Sequence, residues 1–116
     1  MTIINLTPHT INVVDGVDGV TVHTIPASGQ VARVSTRAVP QGTLGLLGGV
    51  VLPVVSTHYG DVEGVPAPGG EKFLVSSMVL DRLGPEYRGQ AFAPDTGPSA
   101  VRKDGQVVAV RQFRTV

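Results

Sequence analysis

The sequence predicts an all-β fold, either a small barrel or a two-sheet sandwich, with one short α-helix. Fifteen glycines and nine prolines punctuate the 116-residue chain. The segments between them are short and rich in valine, as strands are. The turn signals recur at the spacing that is typical of small barrels and sandwiches. Only one segment changes from the two-residue period of a strand to a helical period.

The strands of the N-terminal part follow from β-branched residues between turn signals. They are predicted at 2–6, 10–14, 20–25 and 31–35. The dipeptides Asp15-Gly16 and Asp18-Gly19 are turn signals, so the second and third of these strands should pair as a hairpin.

The middle of the chain is predicted to contain more loop than strand. Residues 36–41 are loop-like, whereas 42–49 are apolar and glycine-rich, which indicates a hairpin tip or a flexible flap. A strand over 50–56 is interrupted by Pro53, and this favours an edge position or a bulge. Residues 58–68 are irregular, with at most one short strand.

The predicted helix begins after the N-cap candidates Ser76-Ser77. Val79, Leu80 and Leu83 fall on one helical face, and Gly84-Pro85 ends the helix. The remaining strands are predicted at 73–75, at 90–93 and, after the Asp104-Gly105 turn, at 106–113.

Residues 1–116 should form a single domain, because this length is enough for one domain and too short for two. The core should be aliphatic, because the chain has only three Phe, two Tyr and no Trp. Apolar residues occur on both faces of 50–55 and 107–110. Some sheet surface should therefore be covered twice, as in a closed barrel or in a self-associating protein. A homo-oligomer is expected on this basis.

Composition excludes several function classes. Nine acidic residues balance nine basic ones, so binding to nucleic acid through phosphate neutralisation is not expected. The chain has no Cys, which excludes disulfides, thiolate metal sites and thiol nucleophiles and fits a reducing cytosol. No apolar run approaches the ~20 residues of a membrane span. Residues 1–5 lack the pattern of a secretory signal, so we expect a cytosolic or particle-associated protein.

Two short patches combine turn-forming residues with side chains that can do chemistry: residues 5–9 and 94–98. In the first, His9 is either a proton donor or ligand contact on a rigid turn, or part of a structural corner in which it bonds backbone. In the second, Asp95 predicts an Asx-type turn that could also cradle an anion. Asp95-Thr96-Gly97 matches the signature of aspartic proteases, but its context lacks the apolar strand that normally precedes it.

An anion-binding pocket is the site hypothesis that these patches favour. Arg33 alternates with apolar neighbours on a strand, and Arg102 follows the Asp95 loop closely. Arginine forks suit carboxylate and phosphate groups. We therefore predict that His9, Arg33, Asp95 and Arg102 converge on one pocket. Tyr59, in a glycine-flanked loop, would lie at its rim and stack on a base.

The sequence predicts neither a metal site nor a cofactor. His9, His23 and His58 lack ligand spacing, and there is no Cys to complete a zinc site. No phosphate-binding loop, dinucleotide fingerprint or nucleophile–base arrangement is present. This argues against an enzyme, although a small hydrolase that uses His9 or Asp95 stays an alternative.

Several motifs together resemble a set of small proteins common in bacteriophages and prophages, over nearly the whole chain. They are Ile4-Asn5-Leu6-Thr7-Pro8-His9, Pro26-Ala27-Ser28-Gly29 with Ala32-Arg33, residues 59–66, Phe73-Leu74-Val75-Ser76, and Pro94-Asp95-Thr96-Gly97-Pro98 with Arg102 and Gly105. The resemblance implies a phage-borne accessory protein in the host cytosol or the virion. It implies context and not chemistry.

Three functions follow from these observations. The first is a phage-borne module that binds a small anionic ligand, such as a nucleotide-derived signal sequestered to counter host defence. The second is a structural, virion or protein-interaction subunit. The third is the small hydrolase.

Overall fold

The computed structural model describes residues 3–116, so Thr2 of the predicted first strand lies outside the described residues. This part of the chain contains strands β1 (Ile3–Asn5), β2 (Ile11–Val14), β3 (Val22–Ile25), β4 (Arg33–Gly45), β5 (Val51–Glu63), β6 (Lys72–Leu74), β7 (Ala91–Pro94), β8 (Val101–Lys103), β9 (Gln106–Ala109) and β10 (Phe113–Thr115), with one helix, α1 (Ser77–Leu80). Single 3-10 turns lie at Leu47–Gly49 and Pro85–Tyr87. The predicted fold class, all-β with one short helix, is confirmed.

A four-stranded sheet in the order β1-β6-β7-β10 organises the core. β1, β6 and β7 run parallel, and β10 is antiparallel to β7. Phe73 and Leu74 of β6 and the following Val75 are fully buried. Phe73 and Val75 belong to the main core cluster, whereas Leu74 packs with Ile11 and Val110 in a second one. An uninterrupted apolar run is what a strand covered on both faces requires.

The helix begins where the sequence predicts, but it ends at Leu80 and does not continue through Leu83 to Gly84. The Ser76 hydroxyl oxygen accepts a hydrogen bond from the Val79 amide at 3.3 Å, as an N-cap does. The α-helix lasts only about one turn, because the Leu83 amide already bonds the Leu80 carbonyl in 3-10 fashion. Gly84-Pro85 then starts a 3-10 turn that places the Tyr87 ring edge-on against Phe73, with centroids 5.8 Å apart.

The predicted first hairpin is confirmed: β2 and β3 pair antiparallel, with Ile11 opposite Ile25. Its turn is held by Asp18. The carboxylate accepts hydrogen bonds from the Thr21 hydroxyl and from the backbone amides of Val20 and Thr21. Because these bonds stabilise the charged form, they lower the pKa of Asp18 to about 2.

The C-terminal strand prediction needs correction. Residues 106–113 do not form one strand, because β9 ends at Ala109 and β10 starts at Phe113 in another sheet. β8, which was not predicted, pairs with β9 through the expected Asp104-Gly105 turn. Both turn residues have positive φ, 54° and 80°, which matches the twist of a tight hairpin.

The largest correction concerns residues 36–41 and 58–68, which were predicted as loop and irregular chain. β4 and β5, of 13 residues each, instead form one long hairpin through residues 36–41 and up to Glu63. The turn-like residues lie at shifts in the register of the hairpin and do not end its strands. The register shifts between Pro40 and Thr43, where Gly42 has φ 102°, so the ladder bulges and continues. The predicted hairpin tip lies at Leu47–Gly49.

Residues 35–61, called the arm below, extend away from the core. Every residue in this range is exposed except Val39 and Ser56, which are half-buried. The radius of gyration is 18.1 Å, whereas a compact domain of this length has about 13 Å. The sheets do not close into a barrel. No helix within residues 3–116 is long and apolar enough to span a membrane.

Candidate functional site

The patch at residues 5–9 is a buried hydrogen-bonded corner. The Asn5 side chain, 2% exposed, donates from Nδ2 to the carbonyls of His9 at 2.9 Å and Ile25 at 3.1 Å. Its Oδ1 accepts from the Thr7 amide at 3.0 Å and lies 2.7 Å from the Thr7 hydroxyl. A buried amide with its partners all present fixes the surrounding backbone. The patch is thus a structural corner, but the His9 ring does not bond backbone as that alternative expected. His9 contributes its backbone carbonyl, and the residue is exposed.

The patch at 94–98 is likewise braced from within. Asp95 Oδ1 accepts from the Gly97 amide at 2.9 Å, which is the predicted Asx turn. Asp95 Oδ2 accepts from Gln112 Nε2 at 2.7 Å. The hydrogen bond from Gln112, followed by that from Gly97, lowers the pKa of Asp95. The carboxylate is therefore held in its ionised form, which suits a turn brace and not a proton donor at neutral pH.

Arg102 closes the same loop. Its two terminal nitrogens donate to the Gly97 carbonyl at 3.1 Å and to the Thr96 carbonyl at 2.6 Å. A guanidinium has five N–H donors in a fixed fork, and this fork is directed at backbone of its own loop. The Arg102 guanidinium, which was predicted to contact an anion, thus stabilises the Asp95 turn.

The remaining predicted residues lie in three separate depressions. His9 lines a groove of about 480 Å³ together with Thr96 and the stretch 107–110. Arg33 lines a second depression, of about 320 Å³, with Thr7, Pro8 and Ser76. Tyr59 lines a third, of about 200 Å³. The structure does not bring the five residues together in any of these three depressions.

Tyr59 takes part in a contact that the sequence did not indicate. The Arg82 guanidinium lies over its ring, 3.9 Å from the centroid, which is a cation–π geometry. Tyr59 belongs to β5, whereas Arg82 follows α1, so the stacking joins the base of the arm to the core. No local spacing could have paired two residues from elements so far apart in the chain.

A serine–histidine pair on the arm is a second feature that the sequence did not indicate. Ser56 Oγ lies 3.2 Å from His58 Nε2, and Gln41 Nε2 donates to the same hydroxyl at 3.1 Å. The two-residue spacing puts both side chains on one strand face, a signal that required predicting β5 as a single strand. Nucleophilic catalysis also needs a group that orients the histidine. Among the described residues, His58 donates no hydrogen bond to a carboxylate, and its ring hydrogen-bonds only with the Ser56 hydroxyl.

The histidines lie apart from one another. His23 Nε2 is 3.0 Å from Asp15 Oδ2 in the first hairpin, whereas His58 is on the arm and His9 on the corner. Within residues 3–116, no three His, Asp or Glu side chains are grouped as metal ligands. The expectation that the protein binds no zinc stays a prediction.

Comparison with protein-family models, with curated proteins and with solved structures finds no match to this chain.

Proposed function

We propose that this protein is an interaction subunit that acts by contacting other protein through its arm. The observation that carries the proposal is the arm itself, a two-stranded ribbon of 27 residues that is exposed along its length. Isolated two-stranded ribbons are marginally stable in water. A partner that covers this ribbon would therefore stabilise it.

The composition of the arm suits protein contact. Residues 38–57 contain no charged side chain. The eight Leu and Val side chains between residues 44 and 55 are all exposed, from 38% at Val54 to 99% at Leu47. Contiguous apolar surface of this kind marks interaction sites on soluble proteins.

The exposed area of the whole chain supports the same proposal. A folded monomer of this size exposes roughly 6,000 Å², whereas this chain exposes 7701 Å². The surplus, about 1,700 Å², is larger than the roughly 800 Å² that one partner contributes to a standard interface.

A photo-crosslinking amino acid at position 47 tests the proposal in the cells that produce the protein. We expect illumination to give a discrete crosslinked species, because Leu47 lies at the tip of the arm. The control carries the same group at Val17, which is 98% exposed and lies in the turn of the first hairpin. Equal crosslinking at both positions, or none at either, would contradict the proposal.

A second candidate function is the binding of a small anionic ligand in the Arg33 depression. Its support is that this depression joins the Thr7-Pro8 corner, Arg33 and Ser76, and that Arg33 makes no ion pair or side-chain hydrogen bond with the described residues. The phage context implied by the resemblance makes a nucleotide-derived signal, sequestered in the host cytosol, the ligand class to test first.

Titration calorimetry with nucleotides and inorganic phosphate tests this candidate. We expect Arg33→Ala to weaken binding about ten- to hundredfold, since a charge-assisted hydrogen bond contributes about 1.5–3 kcal/mol. Arg114→Ala is the matched control, because Arg114 pairs with Asp81 at the exposed surface and should leave affinity unchanged. Equal affinities for the two variants would rule out the Arg33 site.

A further inference from the structure

We propose that the partner of the arm is the arm of another copy of this chain, packed face against face. The inference rests on the proposed function and goes beyond it by naming the partner and the contact surface. It follows from the charge of the arm, the pattern of its two faces, the state of its strand edges and the area left exposed.

Charge makes the arm compatible with itself. Because residues 38–57 carry no charge, two identical arms meet without the like-charge repulsion that normally keeps identical surfaces apart. A different protein with a charged surface would find no complementary group over this stretch. The partner surface that fits is therefore uncharged and apolar, and the arm is such a surface.

Both faces of the arm are apolar. The register places Val51, Pro53 and Val55 on one face and Leu52 and Val54 on the other. A ribbon that packed on its own core would alternate apolar and polar residues. Apolar residues on both faces indicate that each arm is covered on two sides, as in a bundle of arms.

The strand edges direct the contact to the faces. Pro40 in β4 and Pro53 in β5 have no backbone N–H to donate, and the register of β4 is shifted between Pro40 and Thr43. Prolines and bulges interrupt edge-to-edge pairing. Arms that pack face to face, as stacked sheets do, leave these edges out of the contact.

The exposed area is sufficient for such packing. The surplus of about 1,700 Å² over a compact monomer is roughly twice what one partner contributes to a standard interface. The arm has 27 residues, within the range of about 20–30 residues a side that such interfaces use.

Cysteine crosslinking of the purified full-length protein tests the inference, and the absence of native Cys makes each introduced thiol unique. Val55→Cys places a thiol on one arm face, and Val17→Cys is the control away from the arm. With a short bismaleimide in dilute solution, we expect covalent dimers from Val55→Cys at no less than about ten times the yield from Val17→Cys. Light scattering of the unmodified protein should give a multiple of the chain mass.

Two further variants separate an arm contact from a general tendency to associate. Leu52→Glu should raise the dissociation constant at least about a hundredfold, because an unpaired carboxylate would be buried between arms. Replacing residues 40–55 by Asn-Gly, which joins the paired Val39 and Ser56 by a tight turn, should give a folded monomer.

A monomeric full-length protein, or equal crosslinking of Val55→Cys and Val17→Cys, would overturn the inference. So would a trimmed variant that still associates. A monomer whose position 47 nevertheless crosslinks to a different protein in cells would leave the proposed function standing and refute only self-association. Failure of both experiments would remove both proposals.

Discussion

Asn5→Ala is expected to lower the free energy of unfolding by about 3 kcal/mol. The substitution removes an amide that bonds the His9 and Ile25 carbonyls and accepts from Thr7. Each buried polar group left without a partner costs about 1–3 kcal/mol. Because Asn5 ties the first turn to the end of β3, its loss also frees the corner that leads into β2.

Chemical denaturation followed by circular dichroism measures this effect, with Asn12→Ala as the matched control. Asn12 also bonds across strands, to the Val108 carbonyl and the Thr24 hydroxyl, but at exposed positions. Water can replace those bonds, so the control should lose less than about 1 kcal/mol. Equal losses for the two variants would show that the corner does not depend on its buried amide.

Phe73→Ala is expected to have the largest effect on stability, a loss of about 3–5 kcal/mol. Phe73 is fully buried in β6 and packs edge-on against Tyr87. Its removal opens a cavity in the main core cluster, to which Val79 and Leu80 of α1 also belong. A domain of this size has a free energy of unfolding of roughly 6–17 kcal/mol, so the variant should lose a large part of it.

Phe113→Ala provides the comparison for this core substitution. Phe113 lies in the edge strand β10 and is 36% exposed, so truncation leaves no enclosed cavity. We expect a loss smaller than half that of Phe73→Ala, with both measured as denaturation midpoints at unchanged slope. Similar losses would mean that the core is not centred on β6.

The parts of the fold that were predictable depend on local chemistry. The Asp18 turn, the Ser76 cap and the Asp104-Gly105 turn each specify structure within a few residues, and each was predicted correctly. The arm was missed because Pro40, Gly42 and Gly60 normally end strands. The arm tolerates these residues because its side chains are not packed in the core. Its strands can therefore bulge without losing buried contacts.

The candidate site was less predictable than the fold. The Pro and Gly residues in 5–9 and 94–98 correctly predicted turns at these positions. The side chains that were expected to bind a ligand instead form hydrogen bonds with backbone groups. Asn5, Asp95 and Arg102 direct their hydrogen bonds inward. Nothing in a single sequence distinguishes an arginine fork directed at a carbonyl from one directed at a phosphate.

The parallel pairing of β1 with β6, and the antiparallel pairing of β10 with β7, sets the order in which the chain can fold. Ile4 finds its partner only after synthesis has passed Phe73, and Arg114 must be present to pair with Ala93. Pairings between distant residues form slowly, because the chain loses the entropy of a long loop before the new contacts stabilise it. The arm hairpin is local and can form first. During synthesis, the apolar tip of the arm is therefore exposed to solvent before the core exists.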